Sequence, residues 1–517
     1  MFTFTVFRLY VISESTVASQ VLTGQYTRRL PVASRRGFIY DRNGKPLSAK
    51  QNGYICLTDP SKCTNLRSHA ERLSELSGKL LSEITEKMLR KTPFTLKISE
   101  PYNAEGIYSF PFYEKVSVSA PHIVGYTNKD GYGMIGIQKS YNSLLCGDFS
   151  GSVYYSYSAD ALGIPLTGSG STLTDYGYSE ASGVQLTLDA AFQKYCEDTA
   201  GEYVTMGAVC VSDISTGELL ASVSLPDFDT ENVAAYLESE KGELINRCAG
   251  GFTPGSVFKT VVAAAALEQD ISLYSLEYEC VGSFETSDGN EFSCHKKSGH
   301  GKLSMKEAYA LSCNPYFINL ALAIGTDKVL ATASKMGIGE KHPLIGVCTY
   351  GTKLPSLQSL TEGLSANIAI GQGALLMCPY QALNIFSCAS TGSYCNPYTV
   401  KRVFRGDCII ESFTGEKTDV LSKKTTEKLC EMMLACTSDG LGKEAMPQGG
   451  DAGGKTATAQ TGQYKDGKEL LNSWFCGVYP ISAPKYAICV LCDGGGEGGN
   501  PRIIFRKLCE YLSENPI

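Results

Sequence analysis

Histidine is scarce in this chain. The five present, His69, His122, His295, His300 and His342, lie mostly far apart in 517 residues. They offer little for a histidine-rich metal centre or a Ser/His/Asp triad, so a nucleophile here needs another base. Positive charge is not in excess either: 46 Lys+Arg against 53 Asp+Glu leave a formal charge of −7. The basic footprint of a general nucleic-acid binder is missing, and no nucleic acid is expected as partner. A long apolar run is also lacking. Residues 1–12 are mostly apolar but broken by Arg8, whereas a membrane-crossing helix takes about 20 such residues. That stretch reads as the tail of a longer anchor or as an exported segment, which periodicity does not separate. The lack of any internal repeat with a period of about 20–50 residues excludes a solenoid or propeller.

What is present describes a globular protein. With 43% hydrophobic, 19% charged and 10% aromatic residues the chain can bury a substantial core, and at roughly 150 residues per domain its length predicts two or three domains. Twenty cysteines would signal a disulfide framework in a short secreted chain, but this chain is long. Most of them sit singly in apolar strings, such as Ala208-Val209-Cys210-Val211 and Ile488-Cys489-Val490-Leu491, where thiols act as small core hydrophobes.

The texture along the chain predicts an α+β architecture. Residues 36–47 read as a short apolar strand ending in an Asn43-Gly44 hairpin turn. Leu73, Leu76, Leu80, Leu81, Ile84 and Met88 predict an amphipathic helix within 68–91. Residues 100–183, rich in Tyr, Gly and Ser, read as irregular β and loop structure. From 183 the pattern becomes regular: a strand over 184–189, a helix to about 203, and a hairpin of 207–212 with 218–224 through Ser215-Thr216-Gly217. Helical runs at 257–269, 305–312 and 317–324 follow, then strands at about 454–460, 473–479 and 486–492 and a closing helix over 503–512. This is an antiparallel sheet carrying a helical insert. The division expected is 1–31 as an anchor stub and linker, 32–182 as an N-terminal domain and 183–517 as the main domain. The glycine-rich 494–499 is read as a loop.

Chemistry enters at Thr253-Pro254-Gly255-Ser256-Val257-Phe258-Lys259. Pro and Gly precede a long apolar helical run, so Ser256 falls in the first turn, at the positive helix end. Lys259, three residues on, lies on the same face with its amine within reach of the Ser256 hydroxyl. A neutral amine there supplies the base that histidine does not. S-x-x-K alone is weak, and recurs at Ser293 to Lys296 and Ser482 to Lys485. Its company is stronger: Ser312-Cys313-Asn314 closes a later helical run just before Pro315, and Lys455-Thr456 opens a strand-like segment. The order S-x-x-K, S-x-N, K-T-x is a motif set with a known acyl-transfer mechanism. A rival reading takes residues 449–456, G-G-D-A-G-G-K-T, as a phosphate-binding loop. Such a loop must follow a buried strand and open a helix, and here a strand pattern follows instead.

On these motifs the chain resembles the class B penicillin-binding proteins, the monofunctional peptidoglycan transpeptidases, over nearly its whole length from about residue 8. Arg36-Gly37-Phe38-Ile39-Tyr40-Asp41-Arg42-Asn43-Gly44 resembles the family's R-G-x-I-x-D-R-N-G at the membrane-proximal pedestal. Residues 183–189, Pro226-Asp227-Phe228-Asp229, Asn246-Arg247, Ile370-Gly371-Gln372-Gly373 and Ser473-Trp474-Phe475 also fit. The resemblance implies a pedestal domain of the dimerisation type followed by a penicillin-binding, serine β-lactamase-like transpeptidase domain with an all-helical insert. It implies that Ser256 attacks the penultimate D-Ala carbonyl of a stem peptide, that Lys259 is its base, and that Ser312 and Asn314 relay protons and hold substrate. Lys455 and Thr456 would engage the peptide carboxylate, with Ala457 and Thr458 lining the substrate strand and the N–H groups of Ser256 and Thr458 forming an oxyanion hole. No cofactor is implied. The implied partners are peptidoglycan stem peptides, β-lactams as their mimics, and a membrane glycosyltransferase of the shape, elongation, division and sporulation family. The implied location is the cell membrane, with the catalytic part outside the cytoplasm.

Three departures stand out. The family usually has Gly where this chain has Ala457, whose methyl is expected to crowd a substrate lying along the strand. The anchor is a stub, which implies a truncated or miscalled start. An exported chain with so many cysteines suggests a reducing or anaerobic setting. Separately, Cys280, Cys294, His295 and His300 offer two thiols and two imidazoles in a short stretch: zinc ligands, a Cys280–Cys294 disulfide, or unlinked side chains. The competing functions are a serine β-lactamase or D,D-carboxypeptidase, and a non-catalytic scaffold or β-lactam sensor of the same fold.

Overall fold

The computed structural model describes residues 27–147, 150–166, 170–494 and 500–517, together with Thr5, Val6, Arg8 and Tyr10. Most of the anchor stub, and all but Gly494 of the glycine-rich loop, lie outside the described residues. Among the described residues no helix is long and apolar enough to cross a membrane.

The centre of the molecule is a five-stranded antiparallel sheet in the order Leu219–Leu225, Gly207–Asp213, Tyr486–Cys492, Lys468–Tyr479, Gly453–Lys465. Its strands alternate with a period of two, and both alternating sets are buried. Val209, Val211, Ile488 and Val490 pack under the helices Ala190–Tyr203 and Pro501–Glu514. Ala208, Cys210, Cys476, Cys489 and Leu491 face the larger core on the other side. The cysteines of the apolar strings are therefore core side chains, as their setting predicted.

The helix Lys259–Gln269 lies in that larger core, with every residue from Lys259 to Leu267 buried. A helix buried all round must be apolar all round, and Val261 through Leu267 satisfy this with mostly alanine-sized side chains that allow close approach. Lys259 and Thr260 are the polar exceptions in the run, Thr260 Oγ1 pairing with the Tyr309 hydroxyl at 2.9 Å. Around it pack the helices Met305–Ala310, Asn314–Ile324, Pro379–Thr391 and Lys423–Ser438.

The N-terminal half is built from smaller layers. Ala49–Thr58 pairs with Phe94–Ile98 and Ile107–Lys115 beneath two helices, and Gly151–Ser158 pairs with Thr27–Arg35 and Ser171–Tyr176. Two local expectations change here. The helix expected within 68–91 is two helices, Leu66–Ser77 and Leu81–Leu89, because Gly78 caps the first in the left-handed conformation (φ 67°). The Asn43-Gly44 turn forms, with Gly44 at φ 82° and the Asp41 carboxylate accepting the N–H groups of Asn43 and Lys45, but it closes only a Tyr40–Pro46 bridge. The strand Phe38–Tyr40 instead pairs in parallel with Ser182–Leu186, in a sheet continued by Val400–Arg405 and Cys408–Ser412. Burying Ile39 and Val184 in the common core outweighs the local hairpin.

Candidate active site

Ser256 sits in the 3₁₀ turn Gly255–Phe258, which runs directly into the helix Lys259–Gln269. Two distant segments hold this turn. The Gly255 N–H donates to the Gly371 carbonyl at 2.9 Å, and a Cβ on Gly371 would lie 2.0 Å from the Gly255 oxygen, so only glycine fits. The Trp474 indole N–H donates to the Thr253 carbonyl at 3.1 Å.

Ser312 lies in the tight turn between the helices Met305–Ala310 and Asn314–Ile324. It adopts φ 53°, the left-handed region that a non-glycine side chain rarely occupies. The turn places three groups around one amine. Lys259 Nζ donates to the Ser312 carbonyl at 2.8 Å, the Ser312 hydroxyl at 3.3 Å and Asn314 Oδ1 at 2.7 Å. The Ser312 hydroxyl in turn donates to Ser256 Oγ at 2.9 Å. The four side chains thus form one hydrogen-bonded chain in which Ser312 links the amine to Ser256, where the sequence alone suggested direct contact. Asn314 Nδ2 donates to the Ser293 carbonyl at 3.1 Å.

Lys455 stands on the strand Gly453–Lys465, which disposes of the phosphate-loop reading: a strand, not a helix, carries the lysine. Its amine donates to the Thr456 carbonyl at 3.0 Å and lies 5.4 Å from the Tyr309 ring centroid. Both lysines are fully buried, and neither forms an ion pair with a carboxylate among the described residues. Burial, then the Lys455 charge, holds the Lys259 ammonium well below its ordinary pKa, and burial lowers that of Lys455.

Beyond Lys455 the strand alternates. Thr456 and Thr458, with Ser473 and Arg502, line a cavity of about 360 Å³. The Ala457 side chain is 6% exposed and turned towards the Ser256 turn: a Cβ on Gly255 would be 3.4 Å from the Ala457 Cβ. Ala457 also lines the cavity beside Thr456 and Thr458.

Residues 207–510 match the family model of the penicillin-binding protein transpeptidase domain. The chain belongs to this family. It is 27% identical to stage V sporulation protein D of Bacillus subtilis over 90% of this chain and 75% of that protein. It is 26% identical to peptidoglycan D,D-transpeptidase MrdA of Acinetobacter baumannii over 95% of this chain and 82% of that one. Among solved structures, one of a peptidoglycan synthase complex aligns with a TM-score of 0.70 and 22% identity, covering 98% of this chain and 96% of that one.

One reading of the sequence needs correction. Of Cys280, Cys294, His295 and His300, the structure gathers Cys280, Cys294 and His300 and replaces His295 by Cys313, the middle residue of Ser312-Cys313-Asn314. His295 is exposed: its Nδ1 comes only to 4.0 Å from Cys294 Sγ, and it is not among the donors that all approach one another. Cys313 arrives from the turn that carries Ser312. Its place between the two S-x-N residues was the available signal.

Proposed function

We propose that this transpeptidase is a peptidoglycan D,D-transpeptidase working through a serine acyl-enzyme on Ser256. The observation that carries the reading is the hydrogen-bonded chain from buried Lys259 through Ser312 to Ser256. In this reading neutral Lys259 takes the Ser256 proton, with the Ser312 hydroxyl as relay, while Oγ attacks the penultimate D-Ala carbonyl of a stem peptide. The tetrahedral oxyanion is received by the N–H groups of Ser256 and Thr458, donors each worth about 3–4 kcal/mol in acyl transfer. Collapse expels terminal D-Ala, whose amine takes back the proton. The acyl group then passes to an amine of a neighbouring stem, whose proton passes through Lys259 and Ser312 to the departing Ser256 Oγ, restoring the free serine and the neutral amine. Lys455 and Thr456 bind the peptide carboxylate, and Asn314 positions both the Lys259 amine and the substrate.

The cyclic amide of a β-lactam mimics the same peptide and acylates Ser256. Residues 32–182 form the pedestal and 183–517 the catalytic domain, held outside the cytoplasm at the cell membrane. A membrane glycosyltransferase supplies the glycan strands to be cross-linked. The relative MrdA is named a D,D-transpeptidase, and the synthase-complex structure concerns polymerization with crosslinking, both in accord with this reading.

The test is intact-protein mass after incubation with penicillin. One stable adduct on the native chain and none on Ser256→Ala is the expected result. Penicillin consumed without a lasting adduct would replace the reading by a hydrolase, and a folded protein that leaves the drug intact would replace it by a scaffold.

A further inference from the structure

Beside the Ser312 turn lies a patch with little core of its own. Residues 278–303 form two miniature sheets, Tyr278–Cys280 with Gly301–Leu303 and Ser283–Glu285 with Glu291–Ser293. An isolated two-stranded sheet is marginal in water, and apart from Cys280, Cys294 and Leu303 the hydrophobic side chains of these strands, such as Tyr278, Phe284 and Phe292, are only partly buried. The backbones nevertheless approach very closely. A Cβ on Gly299 would lie 2.1 Å from the Cys280 oxygen, and one on Gly282 would lie 2.0 Å from the Lys297 oxygen. Both positions require glycine, and both bring the ends of the patch together.

At that junction the side-chain donors of Cys280, Cys294, His300 and Cys313 all lie within 4.8 Å of one another. Cys294 Sγ and His300 Nδ1 are 3.5 Å apart. A tetrahedral zinc ion with Zn–S about 2.3 Å and Zn–N about 2.0 Å sets S···N edges of about 3.5 Å and S···S edges of about 3.8 Å. Three thiols and one imidazole match the donor set of a closed structural zinc site. Three of the four side chains are buried, and among the described residues none of the three cysteines is in a disulfide.

We propose that Cys280, Cys294, His300 and Cys313 hold one zinc ion that clamps the 278–303 patch to the Ser312 turn. As three Zn–S bonds form, three thiol protons leave to solvent and no electrons are exchanged. Cys313 lies between Ser312 and Asn314, so its Zn–S bond anchors the turn that presents both to Lys259. The neighbouring Asn314–Ser293 hydrogen bond ties the same two pieces. The zinc would be a positioning element: it stands behind the turn and touches neither Ser256 nor substrate.

Metal binding is tested apart from acylation. The full chain, purified anaerobically from zinc-supplemented cells, should carry one zinc per chain, and cobalt exchange should give the intense visible spectrum of a tetrahedral thiolate site. His300→Ala should lose at least nine-tenths of the metal, while His295→Ala and Cys430→Ser should keep it. In the metal-free protein, penicillin acylation should slow at least ten-fold and return on adding zinc. Absence of stoichiometric metal from folded, reduced protein, metal retained in His300→Ala, or a native mass short by two hydrogens with a mapped Cys–Cys link would overturn the proposal. Stoichiometric zinc in a protein that forms no adduct at all would leave the metal site standing and remove the acyl-enzyme reading.

Discussion

The two walls of the site are built in opposite ways. On one side the strand Gly453–Lys465 closes a sheet whose two faces are buried, and Trp474 and Gly371 hold the Ser256 turn against it. On the other, the strands of three residues each beside the Ser312 turn send only Cys280, Cys294 and Leu303 into the core and are otherwise tied to the turn by side-chain links. The packed wall draws its precision from dense contact, where any added atom is felt. The thin wall draws it from a few directional bonds. Damage to the first should therefore appear as lost stability together with lost function, and damage to the second as lost function alone.

The largest expected effect lies where the walls meet. Lys259→Ala removes the proposed base and should slow acylation about 10²–10⁴-fold, read by the rate of penicillin adduct formation. On the packed wall, Gly371→Ala forces a Cβ to within 2.0 Å of the Gly255 oxygen. It should destabilise the fold by about 2–4 kcal/mol, in the range of severe single substitutions, with a lower denaturation midpoint and slower acylation together. Asn314→Ala, on the thin wall, should slow acylation at least ten-fold while moving the midpoint much less. Equal loss of stability in the two variants would break the comparison.

A pH profile sharpens it. Lys259 is held below its ordinary pKa by burial and by Lys455, opposed by Cys313 and Cys294. In the proposed mechanism the active form is the neutral amine, so acylation should rise with pH and level off below the ordinary lysine range. Lys455→Met removes the like charge, raises the Lys259 pKa and should move the rising limb to higher pH. A profile unchanged in Lys455→Met would show that the two walls do not communicate electrostatically. The smallest effect is reserved for Ala457→Gly. Its methyl is turned towards Gly255, so the cost should be about 1 kcal/mol or less of stability, with acylation within about three-fold by the same adduct assay.

Much of this was legible in the residues. The period-two strands, the S-x-x-K spacing and the alanine-rich buried helix follow from geometry acting over a few residues, and they set Ser256 and Lys259 on one helical face. The order of the three motifs pointed to the transpeptidase family that the comparison with known proteins then showed. What stayed hidden involved partners distant in the chain. The pairing of Phe38–Tyr40 with Ser182–Leu186 in place of a hairpin reflects burial in a shared core. The positive φ of Ser312 goes with a carbonyl and a hydroxyl that both accept from the distant Lys259 amine.

Sequence by itself therefore determined the chemical inventory of this protein: which groups it has, their order, and the local elements that carry them. Only the tertiary structure decided that Ser312 stands between Lys259 and Ser256, that the Ala457 methyl turns inward, and that Cys313 rather than His295 joins Cys280, Cys294 and His300. The physical reason is range. Propensity and side-chain direction are settled by neighbours a few bonds away, whereas the meeting of segments far apart in the chain is settled by how the whole core closes around them.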